Sequence, residues 1–136
     1  MNLKVNILKE DLFILLENIE VKAFNYTITV KEGFDFNGAS IPKSLWGLFG
    51  NPLSGDFRIA ALVHDVLYAS QVLPRIVCDD IFLELMRLHG VNYAKRYSMY
   101  LAVRSAGGFA WSRNANECTK YTKFVSVHLK VRDEKA

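Results

Sequence analysis

A histidine and an aspartate stand side by side, His64-Asp65, inside an apolar stretch that runs from Phe57 to Ala69, with Tyr68 one turn further on. A second acidic pair, Asp79-Asp80, follows in the next helical stretch. The two segments must fold back on each other for these groups to meet, so this one feature demands an antiparallel helix pair. An imidazole, a neighbouring carboxylate and a second carboxylate on the facing helix are the parts needed to activate a water beside a bound cation.

Helix arithmetic supports the pairing. If the first helix ends at Gln71 and the next begins at Pro74, a rise of about 1.5 Å per residue puts His64 roughly 10 Å from its turn. Asp79 and Asp80 then lie roughly 8 and 9 Å from theirs. Asp79 precedes Phe82 by three residues and Met86 by seven, so it shares the inward stripe, while Asp80 is turned away by about 100°. Asp79 is therefore the expected partner of His64. It would fix the imidazole tautomer and leave the other ring nitrogen to take a proton from water, and Tyr68 would donate its hydroxyl to the same carboxylate. Asp65 would point to the preceding loop as a hard oxygen ligand for a cation. Backbone carbonyls around Asn37, Gly38 and Ala39 are its expected co-ligands.

The chain has 136 residues, 51% of them hydrophobic, close to one domain's worth and ample for a core. One domain is expected, β-rich over 1–36, loop and helical core over 37–108, and a late strand over 119–131. Its apolar runs are far shorter than the roughly 20 residues of a membrane span. The N-terminal residues lack the pattern of a signal peptide, which predicts retention in the cytoplasm of the cell that makes it. Cys78 and Cys118 are isolated, favouring free buried thiols over a zinc site or a disulfide framework. Net charge is 17 − 14 = +3, spread along the chain, and does not favour nucleic acid as a partner.

The expected fold is α+β, with N-terminal hairpins and a late strand packed on three main helices. Val21 to Val30 is dense in β-branched and aromatic residues, with a turn at Lys31-Glu32-Gly33. Leu12 to Ile19 suits a buried strand or a short helix, and strand is preferred. Phe34 to Pro42 reads as a loop, with Asn37-Gly38 tolerating positive φ and Ser40 as the N-cap of a short helix over 43–49. Gly50-Asn51-Pro52 stops that helix, and Asp56 caps the longer one, from Phe57 to Gln71. Further helices run from Pro74 to Gly90 and from Tyr93 to Ser105, before Gly107-Gly108 breaks the pattern or admits a close approach. Alternation from Tyr121 to Val131 predicts a strand rejoining the N-terminal sheet, with a frayed tail beyond.

The string His64-Asp65-Val66-Leu67-Tyr68 with Cys78-Asp79-Asp80-Ile81-Phe82 resembles the catalytic helix pair of phospholipase A2 enzymes. Asn37-Gly38-Ala39-Ser40 resembles the calcium loop of their small bacterial members. The resemblance implies His64 as base for the attacking water, Asp65 as calcium ligand and Asp79 as orienting carboxylate. It departs in two ways: the disulfides of the secreted enzymes are missing, and neutral Asn37 stands where an acid is usual, which weakens calcium affinity. Over about Gly33 to Gly107 the chain also resembles a domain-of-unknown-function family of small bacteriophage and prophage proteins. The segments that carry this are Gly33 to Pro42, His64-Asp65 with Tyr68, Asp79 to Phe82, and Met99 to Arg104.

Two functions follow as expectations. One is a phage-type, calcium-dependent ester hydrolase of the phospholipase A2 kind, meeting phospholipid or a membrane surface. The other is a non-catalytic virion or assembly protein, or a binding module, with other phage proteins as partners. There the His-Asp network would only fix helix packing, since a lone histidine in an apolar helix is more often a satisfied core group. His89 at a helix end, His128 in the late strand and Asp80 read as structural or surface groups. Trp46, Leu48 and Phe49 read as core packing or as an apolar rim, and Lys95-Arg96 as a solvated face.

Overall fold

Why the first forty residues form β-structure is plain from their branched and aromatic content, and the structure, a computed structural model, shows how they pair. It describes residues 3–9, 12–38, 40–41, 46–49 and 57–130. Strands β1 (Val5–Lys9), β2 (Leu12–Leu15) and β5 (Asp35–Phe36) make one antiparallel sheet in the order β1-β2-β5. Strands β3 (Ile19–Ala23), β4 (Tyr26–Val30) and β6 (Val125–Leu129) make the second, in the order β3-β4-β6. Ile19, Val21 and Ala23 alternate inward along β3, and Ile28 and Val30 do so along β4, so one face of this sheet joins the core.

The late strand does rejoin the N-terminal sheet, Val125 pairing with Val30 and Leu129 with Tyr26. It is shorter than the alternation from Tyr121 predicts. Helix α6 (Cys118–Tyr121) and a 3-10 turn, Thr122–Phe124, take up the preceding residues. The cause is aromatic packing: Tyr121 and Phe124 each lie 6.1 Å from Phe34, ring centroid to centroid. Residues three apart share a face on a helical turn and opposite faces on a strand. Likewise Leu12 to Ile19 forms no single strand, because β2 stops at Leu15 and Ile19 already begins β3. The dense run from Val21 to Val30 is a hairpin whose turn places Phe24 at φ 55.

Helix α2 (Arg58–Ser70) is the centre of the molecule. Every residue from Ile59 to Ser70 is buried, so this helix has no solvent face. The stripe of Phe57, Ala60, Ala61, His64 and Tyr68 understates the case, because helices and strands surround α2 on all sides. It ends at Gln71, whose left-handed φ of 53 closes the last turn through its N–H to the Leu67 carbonyl. Helix α3 (Arg75–Leu88) starts after Pro74 and folds back along α2, and α4 (Tyr93–Ala106) packs on α3. The Asn92 side chain caps α4 by accepting from the Lys95 N–H at 2.9 Å. Past Gly107 the chain forms α5 (Gly108–Asn114), which packs on α2. A four-residue helix, α1 (Trp46–Phe49), is what is described of the short helix expected over 43–49. The caps and stops assigned to Asp56 and to 50–52, the tail from Arg132, and Ala39 lie outside the described residues.

Candidate functional site

His64 is wholly buried, its ring packed between those of Tyr68 and Phe82 at 4.2 and 4.7 Å. Its two nitrogens face opposite ways. Nε2 lies 2.7 Å from Oδ1 of Asp79, across the α2–α3 interface. The Tyr68 hydroxyl donates to the same oxygen at 2.7 Å, and Arg104 on α4 donates from Nη1 to Oδ2 at 2.7 Å. Three donors from two helices thus converge on a carboxylate carried by a third. Burial pushes the Asp79 carboxyl up, but the hydrogen bond and charge of His64, with the bonds from Tyr68 and Arg104, outweigh it and hold the group below the ordinary carboxylate value. An ionised carboxylate can only accept, so Nε2 must carry a proton, and in the neutral ring Nδ1 is bare.

Arg75 braces this side. Its Nε donates to the Tyr68 hydroxyl at 3.2 Å, and Nη2 donates to the carbonyls of Val103 and Arg104 at 2.9 and 2.8 Å. Gly107 makes room for the arrangement: a Cβ there would press on the Val103 carbonyl and come within 2.7 Å of the Tyr68 hydroxyl. Gly107 thus admits the Tyr68 hydroxyl at the end of α4, whereas a Cβ at Gly108 would meet nothing.

On the other side of the ring, Nδ1 lies 2.9 Å from the Ser40 hydroxyl. That hydroxyl is also hydrogen-bonded to Oδ1 of Asp65. The Asp65 carboxylate further accepts the backbone N–H groups of Gly38 and Ser40, at 2.8 and 3.2 Å. Gly38 has φ 73, and its carbonyl accepts from the Ile41 N–H at 3.0 Å. The described loop therefore turns N–H and O–H donors toward Asp65, while the Gly38 carbonyl is committed within the turn. Burial raises the Asp65 carboxyl above the ordinary value, against the lowering effects of Ser40, His64 and the loop N–H groups. No cluster of three or more His, Cys, Asp or Glu among the described residues is placed to hold a metal ion.

Ser40 and Asp65 line a cleft of about 190 Å³, with Phe34, Asn37, Arg113 and Tyr121 among its other walls. The structure therefore brings together His64, Asp79 and Tyr68, and separately Asp65 with Gly38. Asn37 lies on the cleft wall. Ser40, Arg104 and Arg75 join the site without a sequence pattern that marks them as functional. Ser40 reads as a helix cap, and a single arginine in an amphipathic helix reads as surface. The available signal for Arg104 was its place one residue after buried Val103, on the helix that packs beside Asp79.

Elsewhere, Asp80 accepts from the Tyr100 hydroxyl at 2.6 Å and is half-buried, while His89 and His128 are exposed. Trp46 donates to the Ile41 carbonyl and packs on the core; the side chains of Leu48 and Phe49 are outside the description. Lys95 lies over the Phe57 ring and Arg96 over Tyr93 and Tyr97, so this face is stacked as well as solvated. Cys78 is a buried free thiol, pushed up to about 12 by burial and by Asp79; Cys118 is half-buried.

The fold and site together define an α+β protein built around a Ser-His-Asp-Arg hydrogen-bond network that reaches a cleft. The chain belongs to the family described as Protein of unknown function (DUF1353), whose model matches residues 13–103. It is also 35% identical over 80 residues to uncharacterized protein y4jT of Sinorhizobium fredii (strain NBRC 101917 / NGR234). That match covers 57% of this chain and 23% of the relative, so the chain spans well under half of that relative's length. No solved structure matches. No helix among the described residues is long and apolar enough to cross a membrane.

Proposed function

We propose that this chain is an ester hydrolase in which His64 is the general base, held by Asp79 as in the phospholipase A2 helix pair it resembles. The observation that carries the reading is the 2.7 Å contact between Nε2 and Asp79, which leaves Nδ1 as the basic nitrogen on the side of the ring that leads to the cleft. The substrate class is an acyl ester. A cleft of about 190 Å³ falls below the roughly 300–1,000 Å³ that encloses a drug-sized ligand, which favours a short acyl group or only the ester end of a longer lipid. No step passes through a cation, because one at Asp65 would have to displace the Gly38 and Ser40 donors. Calcium binding in a conformation with that contact open is a separate proposal, which calorimetric titration tests.

The deciding experiment is hydrolysis of p-nitrophenyl acetate and of mixed phospholipid vesicles by wild type and His64→Gln, with thermal melts of both. Loss of the base is expected to lower the rate by about 10²–10⁴-fold. A second reading, a non-catalytic phage virion or assembly protein, is favoured by the complete burial of His64 and by the absence of unpartnered buried side-chain polar atoms among the described residues. It predicts an inert wild type and a large melting shift in the variant.

A further inference from the structure

The relay contains one oxygen nucleophile of its own. Ser40 Oγ lies 2.9 Å from Nδ1 of His64, whose Nε2 lies 2.7 Å from Asp79, and Ser40 lines the cleft. A hydroxyl, an imidazole and an orienting carboxylate in hydrogen-bonded series are the parts of an activated serine, recognised by geometry and role and not by order in the chain. Relative to the serine protease arrangement the imidazole is turned over, with Nδ1 toward the hydroxyl and Nε2 toward the carboxylate. Either nitrogen can accept the proton, so the inversion does not alter the chemistry.

We propose that Ser40 is the acyl acceptor of this site, so that ester cleavage runs through an acyl-Ser40 intermediate, with water attacking only in the second half. This rests on the reading of His64 as base and deepens it. In the first half, Oγ bonds to the ester carbonyl carbon, the carbonyl π pair moves to its oxygen, and the hydroxyl proton passes to Nδ1. Collapse restores the carbonyl and breaks the bond to the alkoxy oxygen, which takes the proton from Nδ1 and leaves as an alcohol. Water then adds to acyl-Ser40 with its proton accepted by Nδ1; collapse releases the carboxylic acid and returns the proton to Oγ.

Asp65 gives the serine its resting state. The Ser40 hydroxyl has two acceptors within reach, Asp65 Oδ1 and His64 Nδ1, and one proton. Donation to Asp65 holds the loop and leaves Oγ to accept from an Nδ1–H of the doubly protonated ring; donation to the bare Nδ1 of the neutral ring readies the oxygen. Arg113 is the cationic side chain among the described residues that line the cleft.

The test is intact-mass and peptide-mass spectrometry of the full chain after a fluorophosphonate probe and after p-nitrophenyl acetate quenched in acid. Wild type is expected to gain one adduct per chain, on the peptide bearing Ser40, and His64→Gln is expected to gain none. Ser40→Ala should remove the adduct and lower p-nitrophenyl acetate hydrolysis by at least about 10²-fold. Since Ser40→Ala also loosens the loop, Ser40→Cys is the control: it keeps a nucleophile, and its acyl adduct should be a thioester cleaved by neutral hydroxylamine. Hydrolysis that needs His64 but survives in Ser40→Ala, or an adduct on any other residue, overturns the serine and leaves the base. No hydrolysis and no adduct in wild type overturns both.

Discussion

Asp79 and Asp65 flank one imidazole, yet they are held in opposite ways. Asp79 draws its donors from helices α2 and α4 and includes a guanidinium among them; Asp65 draws its described donors from a loop, and these are neutral N–H and O–H groups. The hydrogen bond and charge of His64, with the bonds from Tyr68 and Arg104, outweigh the burial of Asp79 and lower its carboxyl; at Asp65 burial outweighs Ser40, His64 and the loop N–H groups, and its carboxyl is raised. Two carboxylates equal in the sequence are thus unequal in the fold: one is a fixed anchor, the other a protonatable clasp on the loop that bears Ser40.

The largest expected effect comes from the anchor. Asp79→Asn sets an amide against Arg104 and removes its counter-charge. Breaking a buried ion pair costs about 3–5 kcal/mol, and the lower end is expected because the Arg104 side chain is 30% exposed. Denaturant titration checks this, and a loss well below 1 kcal/mol would show the anchor to be ornamental. Asp65→Asn should cost less, about 1 kcal/mol, because the amide oxygen can still accept a loop N–H and no charge is left buried.

The pH dependence sharpens the contrast, with opposite signs for the two groups. A carboxyl lowered on folding, like Asp79, contributes stability that is present above its unfolded value and lost as pH falls through the folded one. For Asp65, raised on folding, the native state binds its proton more tightly than the unfolded chain. Stability therefore falls as pH rises from about 3.8 through the folded value. Melting curves against pH should show the gap between wild type and Asp79→Asn closing on acidification. The gap between wild type and Asp65→Asn should move the other way, Asp65→Asn gaining relative stability as pH rises. Gaps of the same sign would refute the distinction.

The same contrast marks what could be read from the chain alone. His64, Tyr68 and Asp79 were legible because helices are rigid and a short connection fixes their heights, so spacing converts directly into distance. Hairpins and the return of the late strand were legible from branched and aromatic residues. The Asp65 side was not, because a loop of this kind gives no periodicity to say whether it turns carbonyls or N–H groups toward a carboxylate. Ser40 reads as a cap for the same reason. Residues 108–121 carry neither period clearly, and their helices owe their form to packing on α2. Phe24 at positive φ contradicts local preference, so the hairpin turn there had no signal.

The central claim is that Asp79 fixes a proton on Nε2 of His64 and leaves Nδ1 as the base. Long-range proton–nitrogen NMR of uniformly ¹⁵N-labelled protein reads the tautomer of the neutral ring directly. The account predicts the Nε2–H form with an unprotonated Nδ1 in wild type. A neutral His64 found protonated on Nδ1 would contradict it, whatever the protein hydrolyses.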